Sequence, residues 1–147
     1  MILQEQQSEA AKGIAAANRG ETLLALVHLE KVAAQHLSPS AASTLGYCLA
    51  KERRQMQKAV QLCTEAMRRE PNNALHHFNL GRVYLLAGQK EKAIKTFRRG
   101  LKRGRNPRIV AALKQLGLRD EPIVHFLDRE HPLNKYLGLV CKKLGLR

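Results

Sequence analysis

Residues 74–101 read ALHHFNLGRVYLLAGQKEKAIKTFRRGL, and the reading of this stretch decides the fold. Leu80, Val83 and Tyr84, then Ala93, Ile94, Phe97 and Leu101, recur at three- and four-residue spacing. That is the period of a helix with one apolar stripe. Gly88 separates the two runs, and glycine is favoured just past a helix end because it accepts the left-handed conformation at little cost. Asn72-Asn73, following Pro71, supplies a side-chain cap for the first run. The stretch therefore predicts two antiparallel helices joined by a tight turn.

The same marks recur on either side. Ala25, Ala59 and Ala93 stand 34 residues apart, and each begins a small-to-apolar step, to Leu29, Cys63 and Phe97. Gly13, Gly46 and Gly81 lie upstream of them at separations of 33 and 35 residues. The slip places one inserted residue in the turn of the second unit, within Lys51–Met56. Gly20 closes the first helix of the first unit. Ser38-Pro39 and Asn106-Pro107 open later helices, with proline at the first turn where its missing N–H costs nothing. Helices that cross at the close end of about 8–10 Å need small contact residues. Gly81 is expected to meet Ala93 at such a crossing, where a larger side chain costs about 1–3 kcal/mol by overpacking.

These residues resemble the tetratricopeptide repeat. The third unit carries Leu80-Gly81-x-x-Tyr84 and Ala93-x-x-x-Phe97. The second has Leu45-Gly46-x-x-Leu49, Ala59-x-x-x-Cys63 and Pro71; the first has Lys12-Gly13-x-x-Ala16, Ala25-x-x-x-Leu29 and a late Pro39. Glu9, Ala42 and His77 occupy the place where the family carries an aromatic before Leu-Gly. The expected fold is all-α, a helical-hairpin solenoid of three repeats, at about residues 5–37, 39–72 and 73–105. A capping helix completes residues 1–117, and residues 118–147 form an extension with a final helix.

What the resemblance implies is a concave face lined by the first helix of each unit. Three- and four-residue spacing puts Ala10, Ile14 and Ala17 there from the first unit, Ser43, Tyr47 and Ala50 from the second, and Phe78, Arg82 and Leu85 from the third. Family members that hold a terminal carboxylate use Lys and Asn on these faces. Here Ile14, Tyr47 and Arg82 stand instead, and only Arg82 can make a charge-assisted contact with a carboxylate. No chaperone-tail clamp of that kind is expected. An apolar peptide or amphipathic helix is the expected ligand, with Ile14, Tyr47, Phe78, Arg82 and Leu85 as the groove residues.

The 147 residues fit one domain, and aromatics at 4% leave Ala and Leu to build the core. That composition argues against a β-sandwich or barrel. No apolar run approaches the ~18 residues of a membrane span, and the N-terminus lacks the pattern of a signal peptide. The net charge is +14, and residues 74–106 hold nine basic groups against one acidic. Lys95, Arg98, Arg99, Lys102 and Arg103 fall opposite the stripe of Ala93, Ile94, Phe97 and Leu101. They are either a solvated convex face or a non-specific polyanion surface, for nucleic acid or an acidic partner. With Phe97 in the stripe, no aromatic stands among these cations to stack bases.

Cys48, Cys63 and Cys141 are too widely spaced for a zinc knuckle and read as small buried residues of a reduced, cytoplasmic protein. His76 and His77 are adjacent and point to different sides, and His28 and His36 are read as two turns apart on one helix. No phosphate loop, nucleophile elbow or convergent metal set is present. The chain is expected to be non-enzymatic, with no cofactor, no metal and no membrane insertion. The apolar stripe Leu133, Tyr136, Leu137, Val140, Cys141 and Leu144 gives the extension three destinations: a cap, a plug for the groove, or a dimer contact.

Overall fold

Ser38, Asn73 and Asn106 each set a helix start by satisfying backbone donors that would otherwise lack a partner. The Ser38 hydroxyl accepts from the Ala41 N–H at 3.2 Å, the Asn73 carbonyl from Leu75 at 3.0 Å, and the Asn106 carbonyl from Arg108 at 2.9 Å. Such caps are worth about 1 kcal/mol each. In the computed structural model, which describes residues 1–117 together with Lys142, Lys143 and Gly145, seven helices follow from these signals. They are α1 (Ile2–Asn18), α2 (Thr22–Glu30), α3 (Pro39–Arg53), α4 (Met56–Arg69), α5 (Ala74–Leu86), α6 (Lys90–Arg103) and α7 (Pro107–Gln115). A short 3₁₀ turn, Ala34–His36, lies between α2 and α3. The chain divides into two compact units, Met1–Leu113 and Lys114–Arg147.

Within the first unit α1 packs on α2, α3 on α4, and α5 on α6. The first helices of successive hairpins also pack, α1 on α3 and α3 on α5. The repeated glycines explain how closely each pair nests. A Cβ at Gly13 would lie 2.5 Å from Leu29 Cγ, at Gly46 2.9 Å from the Ala59 carbonyl, and at Gly81 2.2 Å from Phe97 Cε1. The nearest neighbour of Gly81 is therefore the Phe97 ring rather than Ala93. Ala25, Ala59 and Ala93 are fully buried beside these crossings. Gly100, on the second helix of the third hairpin, makes a further close approach, where a Cβ would lie 2.7 Å from both His77 Cβ and Ile109 Cδ1.

Two core clusters result. One gathers residues from α1, α2 and α3, among them Leu26, Leu29, Leu45 and Leu49; the other joins Ala59, Cys63, Leu80 and Val83. Tyr47 packs against both and so bridges the first hairpin to the third. Polar contacts stitch the hairpins at the periphery. Arg53 donates to the Glu30 carboxylate at 2.8 Å, Thr22 to Glu52, and Arg69 to the Leu37 carbonyl at 3.2 Å.

The turns show the inserted residue directly. Gly20 and Gly88 take φ of +83° and +73°, and Glu21 and Gln89 donate back to the Ala16 and Tyr84 carbonyls, five residues earlier. In the second hairpin the left-handed residue is Arg54, φ +58°, and Gln55 reaches back six residues to Leu49. A left-handed conformation costs an L-residue about 1–2 kcal/mol. Arg54→Gly is expected to raise stability by about 0.5 kcal/mol after glycine's entropy is counted, measured as a higher urea midpoint.

Glu9 holds the first hairpin shut. Its carboxylate accepts from Lys12 at 2.8 Å and pairs with His28 Nδ1 at 2.9 Å. The bond from His28, then that from Lys12, holds the carboxyl at about 2, below its ordinary 4.5. A depressed carboxylate adds stability above its unfolded value, and that share is lost as pH falls from about 4.5 towards 2. Thermal melts over this window are expected to fall less steeply in Glu9→Gln than in wild type.

Two sequence expectations change here. His28 and His36 do not share a helix, because α2 ends at Glu30 and His36 belongs to the 3₁₀ turn. The second helix of the first repeat is thus only nine residues long. The extension at 118–147, with its three destinations, lies outside the described residues, as does Cys141.

Candidate functional site

The face shared by α1, α3 and α5 was expected to be lined with small and apolar groups around one arginine. Ile14, Tyr47, Arg82 and Leu85 are partly exposed on these helices, while Phe78 is buried at 8% exposure. Ser43 and Ala50 are fully buried between helices, and Ala10 and Ala17 nearly so. These four do not line an open surface; the small side chains were taken up by helix packing. The structure brings Tyr47, Phe78 and Arg82 together and gives them one shared geometry.

Arg82 is caged. Its guanidinium carbon lies 3.4 Å from the centre of the Tyr47 ring and 4.2 Å from that of Phe78. A cation desolvated over aromatic faces gains about 2 kcal/mol. Nη2 donates to the Asn79 carbonyl oxygen at 2.6 Å, whereas Nε is buried without a hydrogen-bond partner. Burial, joined by the charge of Arg108, pulls the Arg82 guanidinium below its ordinary value. Among the described residues no carboxylate forms an ion pair with it. Phe78 is itself backed by Phe97, with ring centres 6.4 Å apart.

A second cation approaches the same region. Arg108, at the start of α7, donates to the Asn18 side chain at 2.8 Å across 90 residues of sequence. That bond ties the C-terminal end of α1 to the N-terminal end of α7. The site is thus an apolar and aromatic surface carrying two arginines and no paired acid among the described residues.

Behind Arg82 runs a line of buried polar side chains. Asn79 donates to Ser43 Oγ at 3.0 Å, Ser43 Oγ lies 2.9 Å from His76 Nδ1, and His76 Nε2 lies 2.9 Å from Glu70 Oε2. Ser43 and His76 are fully buried and Asn79 is 1% exposed, so neither the serine nor the imidazole is open to a substrate. Each member left unsatisfied by mutation costs about 1–3 kcal/mol. Asn73 and His76 donate to Glu70 and hold its carboxyl below the ordinary value.

The basic face lies on α6. Lys90, Lys92, Lys95, Arg99, Lys102 and Arg103 are exposed and Arg98 is half-buried, while Ala93, Thr96, Phe97 and Gly100 face inward. Among the described residues no ion pair involves the α6 lysines, and Glu91 is the helix's one acid. Lys92 lies 5.8 Å from the Tyr84 ring centre. The cations lie on the side of α6 away from its buried residues.

Comparison with known proteins adds to this geometry. The tetratricopeptide-repeat family profile matches residues 50–116. The match covers the second half of the repeat region, a little under half of the chain. Its fold is similar to a structure of a MamA mutant, at 25% identity and a TM-score of 0.58, over 76% of this chain and 68% of that one. It is also similar to the Sgt2 tetratricopeptide domain from Aspergillus fumigatus, at 15% identity and a TM-score of 0.58, over 89% of this chain and 93% of the other. No match is found among curated protein sequences.

Tetratricopeptide repeats are in general protein-interaction modules, and the match over residues 50–116 supports a scaffold of that general kind. Among the described residues no helix is long and apolar enough to cross a membrane, and no cluster of ligating side chains could hold a metal. Cys48 and Cys63 are buried free thiols, pushed up by burial to about 11 and about 12. His76 and His77 do face different neighbours: His76 turns to Ser43 on α3, and His77 packs at Gly100 on α6. Asn79, Ser43, His76 and Glu70 were not singled out together by sequence reading. The one signal for Ser43, His76 and Asn79 is a polar residue at a buried helix position, which only the packing reveals.

Proposed function

We propose that the face of α1, α3 and α5 is a peptide-binding groove that takes an amphipathic segment and seats an acidic group at Arg82. Ile14, Tyr47, Phe78 and Leu85 receive its apolar side chains. The observation that carries this reading is the caged guanidinium, held in place by two rings and lacking a carboxylate partner among the described residues. A rigid, partly desolvated cation recognises a carboxylate better than a mobile surface lysine does. Arg108 adds positive charge at the same place.

The test uses a short amphipathic helical peptide with a single Glu among Leu residues, and its Gln counterpart. By calorimetry the Glu peptide is expected to bind about tenfold more tightly, the value of one charge-assisted hydrogen bond. Arg82→Met is expected to erase that preference while leaving the fold intact. Equal binding of both peptides to wild type contradicts the reading.

A second reading assigns polyanion binding to α6, favoured by its row of exposed cations with one acid among them. Binding there would collapse with added salt and with Lys95, Lys102 and Arg103 changed to Gln, while groove binding would change little.

A further inference from the structure

We infer that Glu70, on the far side of the second repeat, is a positioning residue for Arg82, acting through a one-directional relay of hydrogen bonds. The donor directions follow from chemistry. A guanidinium only donates, so the Asn79 carbonyl must face Arg82, and its amide nitrogen then faces Ser43. A carboxylate only accepts, so His76 Nε2 carries the proton that meets Glu70. With Nε2 carrying the ring proton, Nδ1 accepts and Ser43 Oγ donates to it. The relay runs Arg82 to Asn79 to Ser43 to His76 to Glu70, from a cation to an anion, every proton pointing the same way.

Such an arrangement strengthens each link by polarisation and removes the freedom of Asn79 to flip. Its three middle members are shielded from water, while the Glu70 side chain is 42% exposed. Asn73 Nδ2 steadies that outer end with a bond of 2.9 Å to the same carboxylate oxygen. Ser43 is a branch point, since its Oγ also lies 3.3 Å from the Ser40 carbonyl, to which its proton turns when His76 Nδ1 is not free to accept. The groove end is fixed by the Tyr47 and Phe78 rings, which leave Arg82 no freedom except rotation of the guanidinium itself. Asn79 sets that rotation, and the anion at Glu70 sets Asn79.

The functional consequence rests on the proposed groove; the structural claim does not. In ¹⁵N-labelled protein, wild-type His76 is expected to be the Nε2–H tautomer, and the Arg82 Nη signals to be resolved by slow rotation. Glu70→Ala and Ser43→Ala are expected to speed that rotation about tenfold, as loss of one hydrogen bond does. Glu70→Gln, which keeps an acceptor, is expected to restore slow rotation. The Glu peptide is expected to bind about tenfold more weakly to Glu70→Ala and normally to Glu70→Gln. Rotation that changes without a change in peptide affinity upholds the relay and overturns the groove reading. An Nδ1–H tautomer in the wild type, or unchanged Arg82 signals in both Ala variants with helicity intact, overturns the relay.

Discussion

Gly81→Leu is expected to destabilise the chain by about 3 kcal/mol, the upper end of the cost of overpacking a close-packed interior. A single added Cβ would sit 2.2 Å from Phe97 Cε1, 2.5 Å from Cδ1 and 2.7 Å from Cζ. Those three atoms belong to one ring, which is fully buried and backed by Phe78, so it has nowhere to rotate. The α5–α6 crossing must therefore open. Chemical denaturation is expected to show the loss as a lower midpoint. At Gly13 the same change meets Leu29 Cγ at 2.5 Å and the Ala25 backbone carbonyl at 3.2 Å, so the α1–α2 crossing is expected to suffer as well.

Phe97→Ala is expected to cost about 3–5 kcal/mol, the range for emptying a buried aromatic site. The loss reaches beyond stability. Phe97 supports Phe78, and Phe78 forms one wall of the Arg82 cage, so peptide affinity is expected to fall as well. The two substitutions share one volume and must couple. Gly81→Leu in a Phe97→Ala background is expected to place leucine in the vacated space, so that the double variant is more stable than the sum of the singles predicts. A double-mutant cycle by urea denaturation measures this. Additive losses would mean the two residues do not meet.

The fold was legible because its cause is local and periodic. Glycine and alanine recur where helices touch, and Ser38, Asn73 and Asn106 mark helix starts by backbone chemistry alone. Even the inserted residue at Arg54 could be counted from the slip between Gly46 and Ala59. What periodicity could not supply was the identity of the neighbour. It paired Gly81 with Ala93, whereas the ring of Phe97 reaches into the space the glycine leaves. It gave α2 two turns too many, since nothing in the apolar pattern marks the stop at Glu30.

The placement of Tyr47, Phe78 and Arg82 on neighbouring first helices was legible, their chemistry only partly. Arg82 stood out as the lone cation on that face. Its cage depends on Tyr47 approaching from the preceding repeat, a distance of 35 residues along the chain. Ser43 was read as lining the face, but it is a buried branch point between Asn79 and His76. Hydrogen bonds between repeats join residues whose spacing carries no repeat signal of its own. They become visible only when the helices are placed side by side.

The most direct test of the account is the location of a bound peptide. Chemical-shift mapping of the labelled protein with the Glu-containing amphipathic peptide is expected to move the signals of Ile14, Tyr47, Phe78, Arg82 and Leu85. Shifts confined to Lys95, Arg99, Lys102 and Arg103, with the groove signals unmoved, would contradict it.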